Sequence, residues 1–183
     1  MKFATGLAAL TVAIASTLAI GQANAANEQL TFSSNPSARC QPATKVSEAL
    51  IRKRPLAMVN EGTTNATINC AFELEARQTL AQQVTVFLSN STATAVNATC
   101  TGISGWEGMS AEPGVPPVLT EYVPVQLSVP AGGQSDPFQW ADADFENGTG
   151  GLISVSCVLP PGVAINDTYA DVLIDDAVAP AAP

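Results

Sequence analysis

Apolar and polar residues alternate in short runs along most of the chain. In the cleanest run, Ile68, Cys70, Phe72 and Leu74 share one phase, and Thr67, Asn69, Ala71 and Glu73 the other. A period of two marks a half-buried β-strand, because successive side chains point to opposite faces of a sheet. The same period recurs at Val84, Val86 and Leu88, at Val96, Ala98 and Cys100, at Val123, Val125, Leu127 and Val129, at Phe138 and Trp140, and at Ile153, Val155, Cys157 and Leu159. Turn-forming residues separate these runs: Glu61-Gly62-Thr63-Thr64, Asn90-Ser91, Ala131-Gly132-Gly133, Asn147 to Gly151, and Pro160-Pro161-Gly162. A first strand is expected around Leu30–Phe32 and a last one from Thr168 to Ile174. Gly102 to Pro117 reads as a long loop, and Val46 to Ile51 fits a helical turn or a strand equally well. Pro124 lacks the N–H that a ladder needs, which places its strand at a sheet edge or at a bulge. Together these signals predict an all-β fold, an antiparallel β-sandwich of about 8 strands.

The start of the chain departs from this pattern. Met1-Lys2-Phe3 carries one positive charge, an uncharged apolar run extends from Ala4 to Ile20, and Ala23-Asn24-Ala25 ends it with small residues. That order is a secretory signal peptide over residues 1–25, with cleavage expected after Ala25. Residues 26–176 then form one domain, followed by a tail over 177–183, rich in alanine and proline, with no means of burying itself. No segment after the leader has the length and apolarity of a membrane-spanning helix.

Export changes the meaning of the four cysteines. Cys70, Cys100 and Cys157 lie in phase with the apolar side of their strands, and an exported chain meets an oxidising compartment. Four cysteines allow three pairings. We favour Cys40–Cys70 over a short loop, and Cys100–Cys157 between strands distant in sequence and adjacent in space. Metal binding fits poorly, because the cysteines lack C-x-x-C spacing and the chain has no histidine.

The missing histidine also removes Ser–His and Cys–His nucleophiles, and zinc hydrolysis of the usual kind. A glycan hydrolase needs only two carboxylates at a set separation, but no pair stands out. Charge is divided along the chain: Arg39, Lys45, Arg52, Lys53, Arg54 and Arg77 all come early, and no lysine or arginine follows Arg77. The acidic remainder repels nucleic acid and anionic lipid. If the two stretches lie on opposite sides of the fold, copies can associate head to tail. Arg52-Lys53-Arg54 reads as a solvated loop or a protected sheet edge, with a processing site or a contact to an acidic partner as alternatives.

Two further candidates remain. Asp142, Asp144 and Glu146 stand at alternate positions before Gly148, a spacing that oxygen ligands use around calcium, although the glycine is late and Ile153 replaces a closing acid. Trp106, in Gly105-Trp106-Glu107-Gly108, is a candidate glycan-stacking residue, whereas Trp140 alternates with Phe138 and reads as core.

Val59-Asn60-Glu61-Gly62 leading to Ile68-Asn69-Cys70, Ala98-Thr99-Cys100-Thr101, and Val155 through Gly162 together span most of the mature chain. On these motifs it resembles small, uncharacterised, exported β-sandwich proteins of Gram-negative bacteria with disulfide bonds. The resemblance implies a periplasmic or secreted sandwich and carries no assigned activity. The expected role is a non-enzymatic binding, adhesion or structural module, with a glycan hydrolase and a surface-polymer subunit as alternatives.

Overall fold

In the run from Ala66 to Phe72, Ala66, Ile68, Cys70 and Phe72 are buried, while Asn69 and Ala71 are exposed. The computed structural model describes residues 28–73, 79–105, 120–146, 148 and 152–174. The leader, the tail and Trp106 lie outside these residues. Eleven strands are described: β1 (Glu28–Ser34), β2 (Cys40–Pro42), β3 (Ile51–Arg54), β4 (Ala57–Asn60), β5 (Ala66–Glu73), β6 (Thr79–Asn90), β7 (Val96–Ser104), β8 (Glu121–Val129), β9 (Phe138–Ala141), β10 (Leu152–Leu159) and β11 (Val163–Ile174).

They form two sheets in which every neighbouring pair is antiparallel. The first runs β3-β4-β11-β6-β9, with β1 sharing the β4 side of the long strand β11. The second runs β2-β5-β10-β7-β8. The all-β sandwich is therefore as expected, with more strands than the eight foreseen. Several of the additional ones are too short for alternation to show.

Two local departures have physical causes. Val46 to Ile51 resolves into helix α2 (Lys45–Leu50); before it, α1 (Pro36–Arg39) is a single turn. Thr44 caps α2 by accepting a hydrogen bond from the Ser47 N–H at 3.1 Å, and Asn35 caps α1 from Ser37 at 2.9 Å. The last strand begins at Val163 rather than Thr168. A register shift between Ile165 and Asp167 absorbs Asn166, so the inward phase resumes at Thr168, Ala170 and Val172.

Both expected disulfides form, and both lie within the second sheet. Cys40 faces Cys70 across β2 and β5, and Cys100 faces Cys157 across β7 and β10, each pair directly opposite with Cα atoms 4.0 Å apart. Trp140 is wholly buried between the sheets, and its Nε1 donates to the Val123 carbonyl at 2.7 Å. Gly102 lies beneath the indole; a Cβ there would come within 2.5 Å of it. Pro124 sits in β8, the edge strand where its missing N–H costs no ladder bond.

Each strand of one sheet is joined to its counterpart in the other: β2 to β3, β4 to β5, β6 to β7, β8 to β9 and β10 to β11. The five crossings lie side by side at one end and are stitched together by backbone bonds. Glu61 N–H donates to Leu50, Gly162 to Asn60, Ser91 to Gly162, and Gly132 to Thr92, at 2.8–3.0 Å. Two buried asparagines hold the crossings from within. Asn60 Nδ2 donates to the Thr64 and Leu159 carbonyls, both at 2.8 Å, while its Oδ1 accepts from Gly62 N–H at 3.0 Å. Asn90 repeats the pattern thirty residues on, bonding Thr94, Val129 and Thr92. Among the described residues no helix is long and apolar enough to cross a membrane.

Candidate functional site

The strand orders give the sandwich two lateral edges. One is β2 with β3, continued along the rest of the first sheet by β1, and the other is β8 with β9. Across five strands, spaced at about 4.8 Å, they lie roughly 19 Å apart.

The β2–β3 edge collects every described cation. Arg39 ends α1, Lys45 opens α2, and Arg52, Lys53 and Arg54 form β3. Alternation sends Arg52 and Arg54 to one face, where both meet Glu61. Arg52 Nε lies 3.1 Å from Glu61 Oε2, and Arg54 Nη2 bonds Glu61 Oε1. The Glu61 carboxyl is held below its usual value, first by the Arg52 hydrogen bond and next by that of Arg54. Lys53 points to the opposite side of β3. There it lines a groove of about 650 Å³ with Pro42, Thr44, Lys45, Glu48 and Ile51. Lys45 and Lys53 have no carboxylate partner among the described residues. A second hollow, of about 380 Å³, lies beside Arg52, Glu61 and Gly62.

The β8–β9 edge is acidic. Glu121 opens β8, Asp136 precedes β9, and Asp142, Asp144 and Glu146 follow it. No cation stands near them in sequence, since the last lysine or arginine is Arg77. Two of these carboxylates serve the backbone: Asp144 Oδ2 accepts from Ala141 N–H at 2.7 Å, and Glu121 Oε2 from Glu146 N–H at 2.6 Å. The side-chain carboxylates of Asp142, Asp144 and Glu146 are not gathered around a common point. Among the described residues no three acidic or cysteine side chains are grouped to hold a metal ion. The Asp142-to-Asp144 turn instead closes on itself, with Asp144 bonding back to Ala141.

The four cysteines come together in the two favoured pairs, and Trp140 is core. Trp106 lies outside the described residues. Sequence reasoning did not foresee the asparagine-held crossings. Their trace is nevertheless present, because Asn60 precedes Cys70, and Asn90 precedes Cys100, by ten residues each. It also saw the charge division along the chain without knowing that the edge strands would turn it into a division in space.

No protein-family model matches the chain, and no curated protein matches it. Two solved structures show a distant likeness. TmCBM61 in complex with beta-1,4-galactotriose is 8% identical, with a TM-score of 0.35, over 77% of this chain and 83% of that one. A Bacillus thuringiensis Cry1Da tryptic core variant is 9% identical, with a TM-score of 0.31, over 62% of this chain and 18% of that one. At these values neither likeness bears on what this chain binds or does.

Proposed function

We propose that the chain is an exported, non-enzymatic binding or structural module that works through contacts made at its charged lateral edges. The observation that supports this most directly is the separation of charge. All five described cations occupy one edge, and a run of carboxylates occupies the other. Evenly mixed charge would serve solubility as well, so the segregation calls for a partner rather than for water. The scaffold suits contact work: two disulfides staple the second sheet, and buried asparagines brace the crossings. Two disulfides also fit an oxidising compartment outside the cytoplasm. The grooves beside α2 and β3 lie on the cationic edge, and each is lined by a single carboxylate, Glu48 in one and Glu61 in the other, whereas a glycan hydrolase draws on two.

The test is retention on a carboxymethyl matrix at neutral pH and low salt. The chain carries a formal charge of −9, so a uniformly charged protein of this kind would pass straight through. Retention is expected, and it is expected to disappear in Lys45→Glu/Lys53→Glu. Flow-through of the wild type, or unchanged retention of the variant, refutes the reading.

A further inference from the structure

We infer that the partner of the cationic edge is the acidic edge of a second copy, so that copies associate head to tail through β2–β3 of one and β8–β9 of the next. This rests on the contact reading above and names its partner.

Three features carry it. The first is charge complementarity within one molecule. Lys45 and Lys53 have no carboxylate partner on their own edge, and Asp136, Asp144 and Glu146 have no cation partner on theirs, among the described residues. Each edge thus offers what the other lacks, which orients an encounter and raises its rate. The second is geometry. Alternating antiparallel neighbours make β3 run the same way as β9, and β2 the same way as β8. The two edges lie on opposite sides of the same two sheets, so the cationic edge of one copy can face the acidic edge of the next while the other edge of each stays open. The third is the nature of the edges. Pro42 on β2 and Pro124 on β8 lack donors, which disfavours a continuous backbone ladder through the second sheet. Side-chain charge then carries the contact and makes it sensitive to salt.

The contact joins two different surfaces, so a pair leaves one edge of each copy free, and further copies extend it into a row or a ring. A polyanion such as an acidic polysaccharide would meet the same cations; the experiment separates the two.

Two variants of the oxidised mature protein isolate the edges. Lys45→Glu/Lys53→Glu reverses the cationic edge and leaves the acidic one, while Asp136→Lys/Glu146→Lys does the opposite. None of these four side chains makes an intramolecular bond among the described residues, and far-ultraviolet circular dichroism confirms folding. Light scattering after a sizing column is read at low and high salt. The wild type is expected to exceed the monomer mass at low salt and return to it at high salt. Each variant alone is expected to be monomeric at both. Mixed in equal amounts at low salt, the variants are expected to give a species of about twice the monomer mass that grows no further, because each retains one competent edge. A wild type that stays monomeric at low salt, or a mixture that stays monomeric, overturns the inference. If that monomer still binds the carboxymethyl matrix through Lys45 and Lys53, the contact reading stands and its partner is another anionic surface. If it does not bind, both fail.

Discussion

Replacing Asn60 isolates the energetic role of the braced crossings. Its side chain is fully buried and makes three hydrogen bonds, to Thr64 O, Leu159 O and Gly62 N–H. The bond to Leu159 joins the crossing after β4 to the end of β10, so it links segments 99 residues apart. Asn60→Ala removes all three at about 1 kcal/mol each. Water can replace the bond at exposed Thr64, which leaves an expected loss of about 2–3 kcal/mol, or about 6–10 °C in melting temperature for a domain of this size. Asn60→Asp keeps the shape but turns two donors into an oxygen facing two carbonyls, and buries a charge. It is expected to cost about 3–5 kcal/mol at neutral pH. The buried carboxyl titrates above its unfolded value, so part of this loss should be recovered as the pH falls and the acid protonates. The assay is guanidinium unfolding of the oxidised protein, with exposed Asn69→Ala as the control. If Asn60→Ala lies within about 0.5 kcal/mol of the control, the asparagine does not brace the crossing and the reasoning fails.

Gly102→Ala is expected to cost about 1–3 kcal/mol by forcing the Trp140 indole from its seat, and to alter the near-ultraviolet circular dichroism of the folded protein; an unchanged spectrum and stability would disprove the close packing. Removing Cys40–Cys70 or Cys100–Cys157, as paired Cys→Ala variants, should cost about 3.5 and about 4 kcal/mol respectively, in the order of their 30- and 57-residue separations. The reverse order in chemical unfolding would show that loop entropy does not set the difference. The Glu61 carboxyl is held below its usual value by Arg52 and Arg54, so its stabilising contribution is complete above the unfolded-state value and fades as the pH falls through the folded one. Glu61→Gln should therefore narrow the stability gap to the wild type as acid is added, and a gap constant with pH would exclude the ion pairs as its source.

Alternation made β5 and β10 legible because both lie inside a sheet with one face on the core and the other outward. Cys100 and Cys157, which share this phase on the neighbouring strands β7 and β10, could then be paired correctly. The short edge strands β2 and β3 were hidden for the opposite reason. Three or four residues at an edge have too few buried positions to show a period, and Arg52-Lys53-Arg54 has none. The first turn of β11 escaped notice because Asn166 and Asp167 look like a break, whereas a bulge lets the ladder run through them. The candidate site was half legible. The charge division could be read along the chain, but only the strand order places early and late segments on opposite edges.

The central positions of both sheets belong to the segment that comes last in chain order. β10 lies between β5 and β7, and β11 lies between β6 and the β1–β4 side. A chain emerging N-terminus first has therefore completed nine strands before these two, and five of them, β1, β4, β5, β6 and β7, wait for β10 or β11 as a partner. The domain closes like a vault whose keystone is set last, and the contacts it gains at that step are long-range ones, which form slowly. Cys100 shares this delay, since its partner lies on β10. Cys40 and Cys70 meet earlier, so the first staple is in place before the keystone arrives, and the second records that it has been set.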